Sequence, residues 1–320
     1  MIDWHPTAPL NHLRLRADVL ARTRRFFVEA GVLEVETPIL SPASGTDPHL
    51  SPFVTRFEPE GGGAATTLYL HTSPELYMKR LLAAGSGPIV QIGKVFRNGE
   101  AGSRHNPEFT MVEWYRPGWN LLALINEVGA LLQTLLNCPP ITTLTFQQAF
   151  VAHAGVDPLA ADLATLAEAT HRLHLDPPEG LDRDGLIDFL LCFAVEPHLG
   201  HEHPVALTAW PVSHAALAQV SPNDPRTAER FEVFYQGIEL ANGFNELCDA
   251  AEQRRRFEED NRLRKQMEKP ALPLDERFLG ALEAGMPQGC GVALGFDRVV
   301  MLAAGASRIE EVMGFGWRGV

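Results

Sequence analysis

The fold of this protein follows from one hairpin-like segment, IGKVFRNGEAGSRHNPEFTMVEWYRPG, residues 92–118. Apolar residues typical of strands stand at both of its ends, and glycines and polar residues lie between them. We therefore predict a long hairpin whose loop carries Arg97, Arg104, His105 and Asn106. Because arginine makes bidentate hydrogen bonds to phosphate oxygens, this loop is better suited to gripping a polyphosphate than to forming a plain turn.

The return strand of this hairpin places Glu113 and Tyr115 two residues apart, and hence on one face. The hairpin would then offer cations at its tip and an anion with a phenol at its base. Residue types alone favour a plainer alternative, a surface hairpin with solvated charges. The motifs described below decide between the two.

Composition limits the class of protein. The chain has 320 residues, 45% hydrophobic and 21% charged, which is typical of a globular protein in solution. It has no apolar run near the roughly 20 residues of a membrane span and no signal-peptide pattern, so we expect a cytoplasmic location. The net charge of −13 argues against broad nucleic-acid binding and makes tRNA an improbable partner. Four widely spaced cysteines predict reduced, mostly buried thiols: Cys138, Cys192, Cys248 and Cys290.

Two further elements are predicted before the hairpin. Residues 11–30 form an amphipathic helix, and the sequence GVLEVETPIL, residues 31–40, follows as a strand that Pro38 ends. Ser73, Pro74 and Glu75 then begin a second helix, with proline and glutamate in the positions that helix N-termini prefer. Helix initiation alone explains that triplet, and the family resemblance given below implies a sharper role, binding of a substrate amine by Glu75.

The stretch 232–246 repeats glutamate every seven residues, at Glu232, Glu239 and Glu246. Such a repeat is usually the solvated face of a helix. Glycine and asparagine within this stretch disfavour a helix, whereas its aromatic and β-branched residues favour two strands. Carboxylates at the ends of adjacent strands can converge on Mg²⁺, which binds one or two carboxylates together with phosphate oxygens.

The other segments contain fewer candidate catalytic or binding residues. Residues from roughly 141 to 225 predict short helices and loops, an insertion within a single domain of residues 1–320. Its histidines at 198, 201 and 203 lack the spacing of a metal site and are expected to be solvated. Residues 254–269 predict a charged helix on the surface. Residues 289–301 predict a glycine-rich strand and then a helix starting near Asp297, with Arg298 positioned to face a phosphate.

Three of these stretches resemble the motifs of class II aminoacyl-tRNA synthetases, in the order of that family. GVLEVETP resembles motif 1, FRN followed by RHNPEFTMVEWY resembles motif 2 of the lysyl branch, and GCGVALGFDRVVM matches the motif 3 pattern GxGxxxGxDRxxM. The resemblance covers residues 13–315 and implies an α+β fold, a mainly antiparallel sheet flanked by helices, in a homodimer. It also implies adenylation, in which ATP, Mg²⁺ and an amino acid give an aminoacyl-adenylate and pyrophosphate.

The resemblance also implies residue roles. Arg97 would bridge the substrate carboxylate and the α-phosphate, Arg104 and Arg298 would bind the γ-phosphate end, and Glu232 and Glu239 would hold Mg²⁺. The residues expected to bind the amino acid are Ser73, Pro74, Glu75, Glu113, Tyr115, Asn242, Phe244, Glu246 and Ala293. Those expected to bind ATP are Arg97, Asn98, Glu100, Arg104, His105, Asn106, Phe109, Glu239, Leu240, Gly295 and Arg298.

Three departures from the lysyl synthetases refine this expectation. The core helix begins near residue 11, which leaves no room before it for an anticodon-binding OB domain. Ala293 stands where lysyl enzymes have glycine, and one added methyl beside a substrate is worth about 1–3 kcal/mol of discrimination. Gly99 replaces the glutamate of the family's Arg-x-Glu, with Glu100 one position later. Glu100 or backbone groups would then take over that role.

Together with the EWYRP sequence around Trp114, these departures make the chain similar to truncated lysyl-synthetase paralogues, the elongation factor P–(R)-β-lysine ligase family. That resemblance implies adenylation of (R)-β-lysine and its transfer to a lysine side-chain amine of elongation factor P. Two alternatives stay open. One is a free-standing enzyme that adenylates α-lysine for another acceptor. The other is a catalytically silent paralogue that binds a partner.

Overall fold

The chain divides into two compact units in the computed structural model, which describes residues 4–319. The first unit runs to Trp119 and resumes at Leu247, and the second comprises Asn120–Glu246. Within the described residues, the longest helices are too polar or too short to cross a bilayer. All four cysteines are free thiols. Cys138 and Cys290 are buried as predicted, whereas Cys192 is exposed.

The main sheet of the first unit contains the predicted hairpin. Strands β5 and β6 are antiparallel, with Gln91 opposite Glu113, so the hairpin prediction is confirmed. Strand β11 pairs antiparallel with the other edge of β6, and the short β1 adds to β5 in parallel. The strands are β1 (Leu33–Glu34), β5 (Ile89–Phe96), β6 (Glu108–Pro117) and β11 (Gly289–Gly295). A separate small sheet contains β2 (Leu40–Ser41), β3 (Phe53–Phe57) and β4 (Thr66–Leu70).

Three helices of the first unit begin at or within one residue of the predicted start, at Leu10, Glu75 and Phe296. The charged helix begins at Ala250, four residues before its predicted start, and the helix Glu276–Gly285 was not predicted. The N-terminal helix α1 buries Val19 and Phe27, and the Phe27 ring lies 5.1 Å from that of Trp114 on β6. The helices are α1 (Leu10–Glu29), α2 (Glu75–Ala83), α7 (Ala250–Gln266), α8 (Glu276–Gly285) and α9 (Phe296–Ala304). Single 3₁₀ turns follow at Ile309–Val312 and Trp317–Gly319.

The prediction that residues 254–269 form a purely solvated helix was wrong on one face. Arg264 of α7 is 2% exposed, and its guanidinium donates to the carbonyl oxygens of Asp47, Leu50 and Pro270. A guanidinium can be buried when carbonyl oxygens satisfy its donors, and a charge count along the chain does not show those partners. This face of α7 therefore holds the loop that follows β2.

The second unit contains strands that the sequence did not predict. Residues 141–225 were expected to be helices and loops, but they also include β7 and β8, which pair in parallel. Short apolar runs such as VALTAWP do not distinguish a strand from a buried helix by periodicity. The sheet order is β10-β9-β8-β7, with β7 (Thr142–Thr145), β8 (Val205–Pro211), β9 (Thr227–Tyr235) and β10 (Ile238–Asn245).

Helices cover this second sheet and supply most of its core. The helices of this unit are α3 (Leu121–Leu136), α4 (Phe146–His153), α5 (Leu163–Arg172) and α6 (Arg183–Leu190), and the core residues come from α4 to α6 and the turns that follow. Helix α6 continues into a π-helical turn, Leu191–Val195, and a 3₁₀ turn, Glu196–His198. Phe146, Phe150 and Phe234 are fully buried in one apolar cluster. Strands β9 and β10 form the predicted second hairpin. Its two-residue turn has positive φ at Gln236 (51°) and Gly237 (66°), the geometry that matches strand twist.

Candidate active site

Glu113 is the centre of a hydrogen-bonded group in the first unit. Its side chain is 2% exposed and accepts one hydrogen bond from the Tyr115 hydroxyl and one from the Ser73 hydroxyl, each at 2.7 Å. The Glu75 backbone N–H in turn donates to Ser73 Oγ at 3.0 Å. The structure therefore brings together four predicted substrate residues, and it confirms that Glu113 and Tyr115 share a face.

The pKa of Glu113 is raised to about 7, mainly by burial and also by the negative charge of Glu75. The hydroxyls of Tyr115 and Ser73 and the cation of Lys79 act in the opposite direction. A carboxyl group balanced in this way ionises when a cation binds next to it, because the new charge offsets the loss of hydration. The arrangement is suited to an organic ammonium group.

Lys79 belongs to this site but was not predicted. Its side chain is fully buried, and its Nζ lies 2.5 Å from Glu75 Oε1, one helical turn earlier on α2. The i, i+4 spacing of glutamate and lysine was the available signal. Such pairs usually lie on solvated helix faces, so the spacing alone does not predict burial.

Ala293 lies directly opposite Glu113 in the pairing of β11 with β6. Directly opposed residues of an antiparallel pair bring their Cβ atoms within about 5 Å of each other. Ala293 is partly exposed. Its methyl group therefore contacts the space next to the Glu113 carboxyl group, where a glycine would leave more room.

The loop between β5 and β6 assembles a second group of predicted residues. Arg298, in the first turn of α9, donates to His105 Nε2 at 2.8 Å and to the Arg104 carbonyl oxygen at 3.4 Å. The Ile309 N–H donates to the Ser103 carbonyl oxygen at 2.7 Å and fixes the loop tip. Arg298 of motif 3 thus contacts the motif 2 loop at the His105 ring and at the Arg104 backbone.

Arg97, at the start of the loop, has donor capacity left for a ligand. Its guanidinium lies 5.1 Å from the centre of the Phe109 ring, and its buried Nε has no hydrogen-bond partner among the described residues. Glu100 Oε1 lies 3.7 Å from the Arg97 guanidinium. Gly99 has a φ of 93°, which side chains rarely adopt. The carboxylate beside Arg97 therefore comes from position 100.

Two asparagines of the same loop have backbone contacts. The buried Asn106 amide donates to the Glu108 carbonyl oxygen at 2.6 Å and accepts from the Trp317 N–H at 2.8 Å. The Asn98 N–H donates to the Ser51 carbonyl oxygen at 2.7 Å. Both contacts shape the loop, and the ATP-binding roles of these two residues stay predictions.

Glu232 is the corresponding buried acid of the second unit. It accepts a hydrogen bond from the Arg230 guanidinium, which also donates to Asn242 Oδ1 at 3.3 Å. Burial is the largest effect and raises the pKa of Glu232 to about 8. Arg230 lowers this pKa, and the carboxylates of Glu239 and Glu196 raise it. A surplus of negative charge therefore surrounds this buried acid, and binding of a cation would relieve it.

The register of β9 and β10 gives the other predicted residues of this unit a common face. Asn242 lies opposite Glu232 and Glu239 opposite Phe234, so Glu232, Glu239 and Asn242 point to the same side of the hairpin. Phe244 follows on that side and packs against a small alanine cluster. Glu246 is buried after the end of β10, and its backbone carbonyl oxygen accepts from Gln219 Nε2 at 2.8 Å. Leu240 is buried.

Histidine and cysteine do not build a metal centre in the part of the chain that the structure describes. Residues 4–319 contain no group of three or more histidine, cysteine, aspartate or glutamate side chains that could hold a metal ion. His198 stacks on His153 with ring centres 4.7 Å apart, and His201 Nε2 lies 2.6 Å from the Pro197 carbonyl oxygen.

A buried ion pair that the sequence did not predict supports motif 3. Arg16 NH1 on α1 lies 2.5 Å from Asp297 Oδ1, and Arg16 NH2 donates to Thr110 Oγ1 at 2.8 Å. Asp297 Oδ2 accepts from the Thr110 N–H at 2.6 Å. Arg16 stands three residues before Val19 on the buried face of α1, and a charge at that position was the available signal. These contacts hold α1, β6 and the residue preceding Arg298 together.

The first unit also contains a cavity of about 530 Å³ that Arg16 and Asn106 line in part. Asn106 is the one predicted site residue in its lining. The other lining residues are Arg16, Phe53, Leu70, Lys94, Phe96, Pro107, Glu108, Met313, Gly314, Phe315 and Trp317.

Comparisons with known proteins agree with the motifs. The family model described as tRNA synthetases class II (D, K and N) matches residues 1–318. The chain is 55% identical over 313 residues to the elongation factor P–(R)-β-lysine ligase of Haemophilus influenzae (strain ATCC 51907 / DSM 11121 / KW20 / Rd), covering 98% of this chain and 97% of the relative. It is 54% identical over 319 residues to the ligase of the same name from Edwardsiella ictaluri, covering 98% of both chains. The corresponding protein of Klebsiella pneumoniae subsp. pneumoniae is 55% identical over 316 residues, with coverage of 98% and 97%.

Proposed function

The chain belongs to the class II tRNA synthetases (D, K and N), and we propose that it activates (R)-β-lysine with ATP and transfers it to a lysine ε-amine of elongation factor P. Membership makes it an ATP-dependent amino-acid ligase with the α+β fold expected from its motifs. The relatives that are 54–55% identical over nearly their whole length carry the ligase name, and this supports the specific substrate and acceptor.

The observation that carries the proposal is the Glu113 group. A buried carboxyl group with a pKa raised to about 7 lies between two hydroxyl groups and close to the charge of Glu75. Lysine and β-lysine each carry two ammonium groups, so their recognition needs anions at two positions. Glu113 with Tyr115 would bind the distal amine, and Glu75 would bind the amine next to the carboxylate.

The loop and motif 3 residues would hold ATP. Arg97 would bind the α-phosphate and the amino-acid carboxylate, because its buried Nε has no partner among the described residues and arginine binds both groups bidentately. Arg104, His105 and Arg298 would bind the terminal phosphates. Glu100 would take the role of the family's motif 2 glutamate.

Glu232 and Glu239 would hold Mg²⁺. They fit that ion because they lie on one face of the hairpin, and the negative charge of Glu239 raises the pKa of Glu232. Mg²⁺ bound there with phosphate oxygens would neutralise the negative charge of ATP. Arg230 already fixes one oxygen of Glu232, and Asn242 is oriented by the same guanidinium.

In the first step the amino-acid carboxylate attacks the α-phosphorus, and the bond to the β-phosphate oxygen breaks to release pyrophosphate. The protein acts through positioning and charge neutralisation, with Arg97 aligning the two reacting anions. In the second step the unprotonated acceptor amine attacks the adenylate carbonyl carbon, AMP leaves with the bonding electron pair, and the amine loses its proton. The product is an amide.

The same proposal extends to assembly and location. We expect a homodimer built on motif 1, and apolar residues left exposed in that segment support it: Val28, Leu33, Ile39 and Leu40. A single catalytic domain over residues 1–320 stays part of this proposal. A cytoplasmic location and the exclusion of tRNA follow from the same reaction and from the net charge of −13.

The deciding experiment is pyrophosphate exchange with purified protein, ATP and Mg²⁺, comparing (R)-β-lysine, α-lysine and other amino acids. We expect preference for (R)-β-lysine, followed by mass-spectrometric detection of one added β-lysyl group on elongation factor P. Preference for α-lysine would move the function to an α-lysine-adenylating enzyme. Absence of exchange with every amino acid would favour a silent paralogue.

A binding measurement separates the silent paralogue from an inactive preparation. ATP with Mg²⁺ should raise the melting temperature of the wild-type protein, and Arg298→Ala should reduce that increase. The exposed Arg277 of α8 provides the matched control, because Arg277→Ala removes an arginine outside the proposed ATP site. Equal ATP stabilisation in Arg298→Ala and the wild type would contradict the assigned phosphate site.

A further inference from the structure

We propose that Lys79 is a positioning residue that orients Glu75 for the amine next to the substrate carboxylate. This inference rests on the proposed function, because it assumes that the first-unit site binds a diamino acid. Lys79 does not touch the substrate in this proposal. It acts through the Glu75 carboxylate, and its loss would weaken recognition of the amine that Glu75 binds more than recognition of the distal amine.

The contacts of Lys79 support a role in positioning Glu75. Its side chain is 0% exposed, and its Nζ lies 2.5 Å from Glu75 Oε1. The Nζ also lies 6.0 Å from the centre of the Phe278 ring, which is itself buried. A fully buried ammonium group is strongly destabilising unless an anion compensates it, so Lys79 and Glu75 constrain each other.

The exposure of Glu75 indicates where a ligand would bind. Its side chain is 18% exposed, in contrast to Lys79. Because Lys79 binds Oε1 from inside the protein, the exposed fraction of the carboxylate remains available to a second cation. The Glu75 N–H donates to Ser73 Oγ, which fixes the start of α2 beside Glu113. Glu75 is therefore held at two points, at its backbone N–H by Ser73 and at its Oε1 atom by Lys79.

The charge balance of the site depends on Lys79. Glu113 and Tyr115 face Glu75 from β6, Lys79 faces it from α2, and the Phe278 ring packs on Lys79 from α8. Lys79 is the cation that opposes the mutual repulsion of Glu75 and Glu113. Without it, two neighbouring carboxyl groups would share a proton near neutral pH and bind an ammonium group less well. Raising the pH would remove that proton and restore binding.

The test compares Lys79→Met and Lys79→Arg with wild type in pyrophosphate exchange from pH 6.5 to 8.5. For Lys79→Met we expect KM for (R)-β-lysine to rise roughly 10- to 100-fold at pH 6.5, with a smaller increase at pH 8.5 and little change in kcat. Lys79→Arg keeps the charge and should recover most of the affinity. Arg264→Met, which removes a buried cation from α7, should leave KM and its pH profile unchanged.

A substrate analogue tests which amine is involved. 6-Aminohexanoate has the distal amine and the carboxylate but no amine next to the carboxylate. Its inhibition constant should rise much less in Lys79→Met than KM for (R)-β-lysine does, because its binding depends on Lys79 only through the small effect of that cation on Glu113. An equal loss for 6-aminohexanoate and (R)-β-lysine, or a KM increase independent of pH, would overturn the proposal in favour of a purely structural ion pair.

Two outcomes keep the inference separate from the proposed function. If wild type activates neither lysine, the proposed function fails before the variants are compared. If wild type is active and Lys79→Met has an unchanged KM, the inference fails alone. Should Lys79→Met not fold, Glu75→Gln in the wild-type background provides the second variant. It removes the anion that Lys79 is proposed to orient, and a KM for (R)-β-lysine that it leaves unchanged also overturns the inference.

Discussion

The two hairpins of this protein each bury one glutamate, and they surround it differently. Burial is the main cause that raises the pKa of Glu113 on β6 to about 7 and that of Glu232 on β9 to about 8. Glu113 accepts hydrogen bonds from two hydroxyl groups, whereas Glu232 accepts one from the Arg230 guanidinium. Two carboxylates raise the pKa of Glu232 further, and one raises that of Glu113.

This difference corresponds to two kinds of cation. A carboxyl group between neutral hydroxyls can exchange a proton for a singly charged ammonium group with little rearrangement. A carboxyl group among other carboxylates, already oriented by an arginine, is suited to a compact divalent ion. We therefore expect changes at Glu113 to alter amino-acid binding and changes at Glu232 to alter the chemistry of ATP.

The largest expected effect follows from removing the Glu232 charge. Glu232→Gln should lower kcat for pyrophosphate exchange roughly 10²- to 10³-fold and raise the Mg²⁺ concentration for half-maximal activity, because a ligand of the ion is lost. Exchange rates measured over a Mg²⁺ titration check this. Glu202→Gln removes an exposed carboxylate of the same unit and should change neither value. An unaltered Mg²⁺ requirement in Glu232→Gln would remove the distinction between the hairpins.

The second prediction concerns stability and pH. The folded-state pKa of Glu113 is raised from 4.5 to about 7, so its proton stabilises the ligand-free fold most below pH 4.5 and that contribution is lost as pH rises toward 7. Relative to Glu113→Gln, wild type should lose up to about 3 kcal/mol of unfolding free energy between pH 5 and pH 8. Urea unfolding at a series of pH values measures the difference.

Relative to Glu232→Gln, the wild-type loss of unfolding free energy should continue to a pH about one unit higher, because the pKa of Glu232 is raised to about 8. Parallel pH profiles for the two glutamine variants and wild type would show that neither acid is protonated in the ligand-free fold. That result would contradict the comparison of the two hairpins directly.

The third prediction tests amino-acid binding. Glu113→Gln keeps the shape of the side chain but removes its charge, so KM for (R)-β-lysine should rise roughly 10- to 100-fold while KM for ATP stays unchanged. Glu108→Gln changes an exposed carboxylate at the other end of β6 and provides the control. A parallel increase in KM for ATP would mean that the two cation sites are not functionally distinct.

The smallest expected effect comes from the methyl group of Ala293, opposite Glu113. Ala293→Gly should shift the ratio of kcat/KM for (R)-β-lysine over α-lysine roughly tenfold toward α-lysine, because a glycine enlarges the space next to Glu113. Competition between the two lysines in the exchange assay measures this ratio. If the ratio does not move, Ala293 does not set the preference.

Local patterns were sufficient for the elements that carry the site. The hairpin of residues 92–118 and that of residues 232–246 were predicted because apolar alternation, turn glycines and the motif order act within a few residues of each other. The start of α2 at Glu75 and of α9 at Phe296 followed from N-terminal residue preferences in the same way. The assigned ligand contacts of these residues stay predictions.

What the sequence by itself determined is therefore the class II family, its motif order and the strands and helices that carry the candidate residues. Tertiary structure alone decided which charges are buried and what compensates them. Arg16 and Asp297 lie 281 positions apart and meet in one ion pair, and Arg264 is buried by carbonyl groups of a distant loop. Lys79 is close to Glu75 in sequence, yet its role depends on burial against α8. The free energy of a charge depends on its three-dimensional surroundings, and a linear pattern does not contain them.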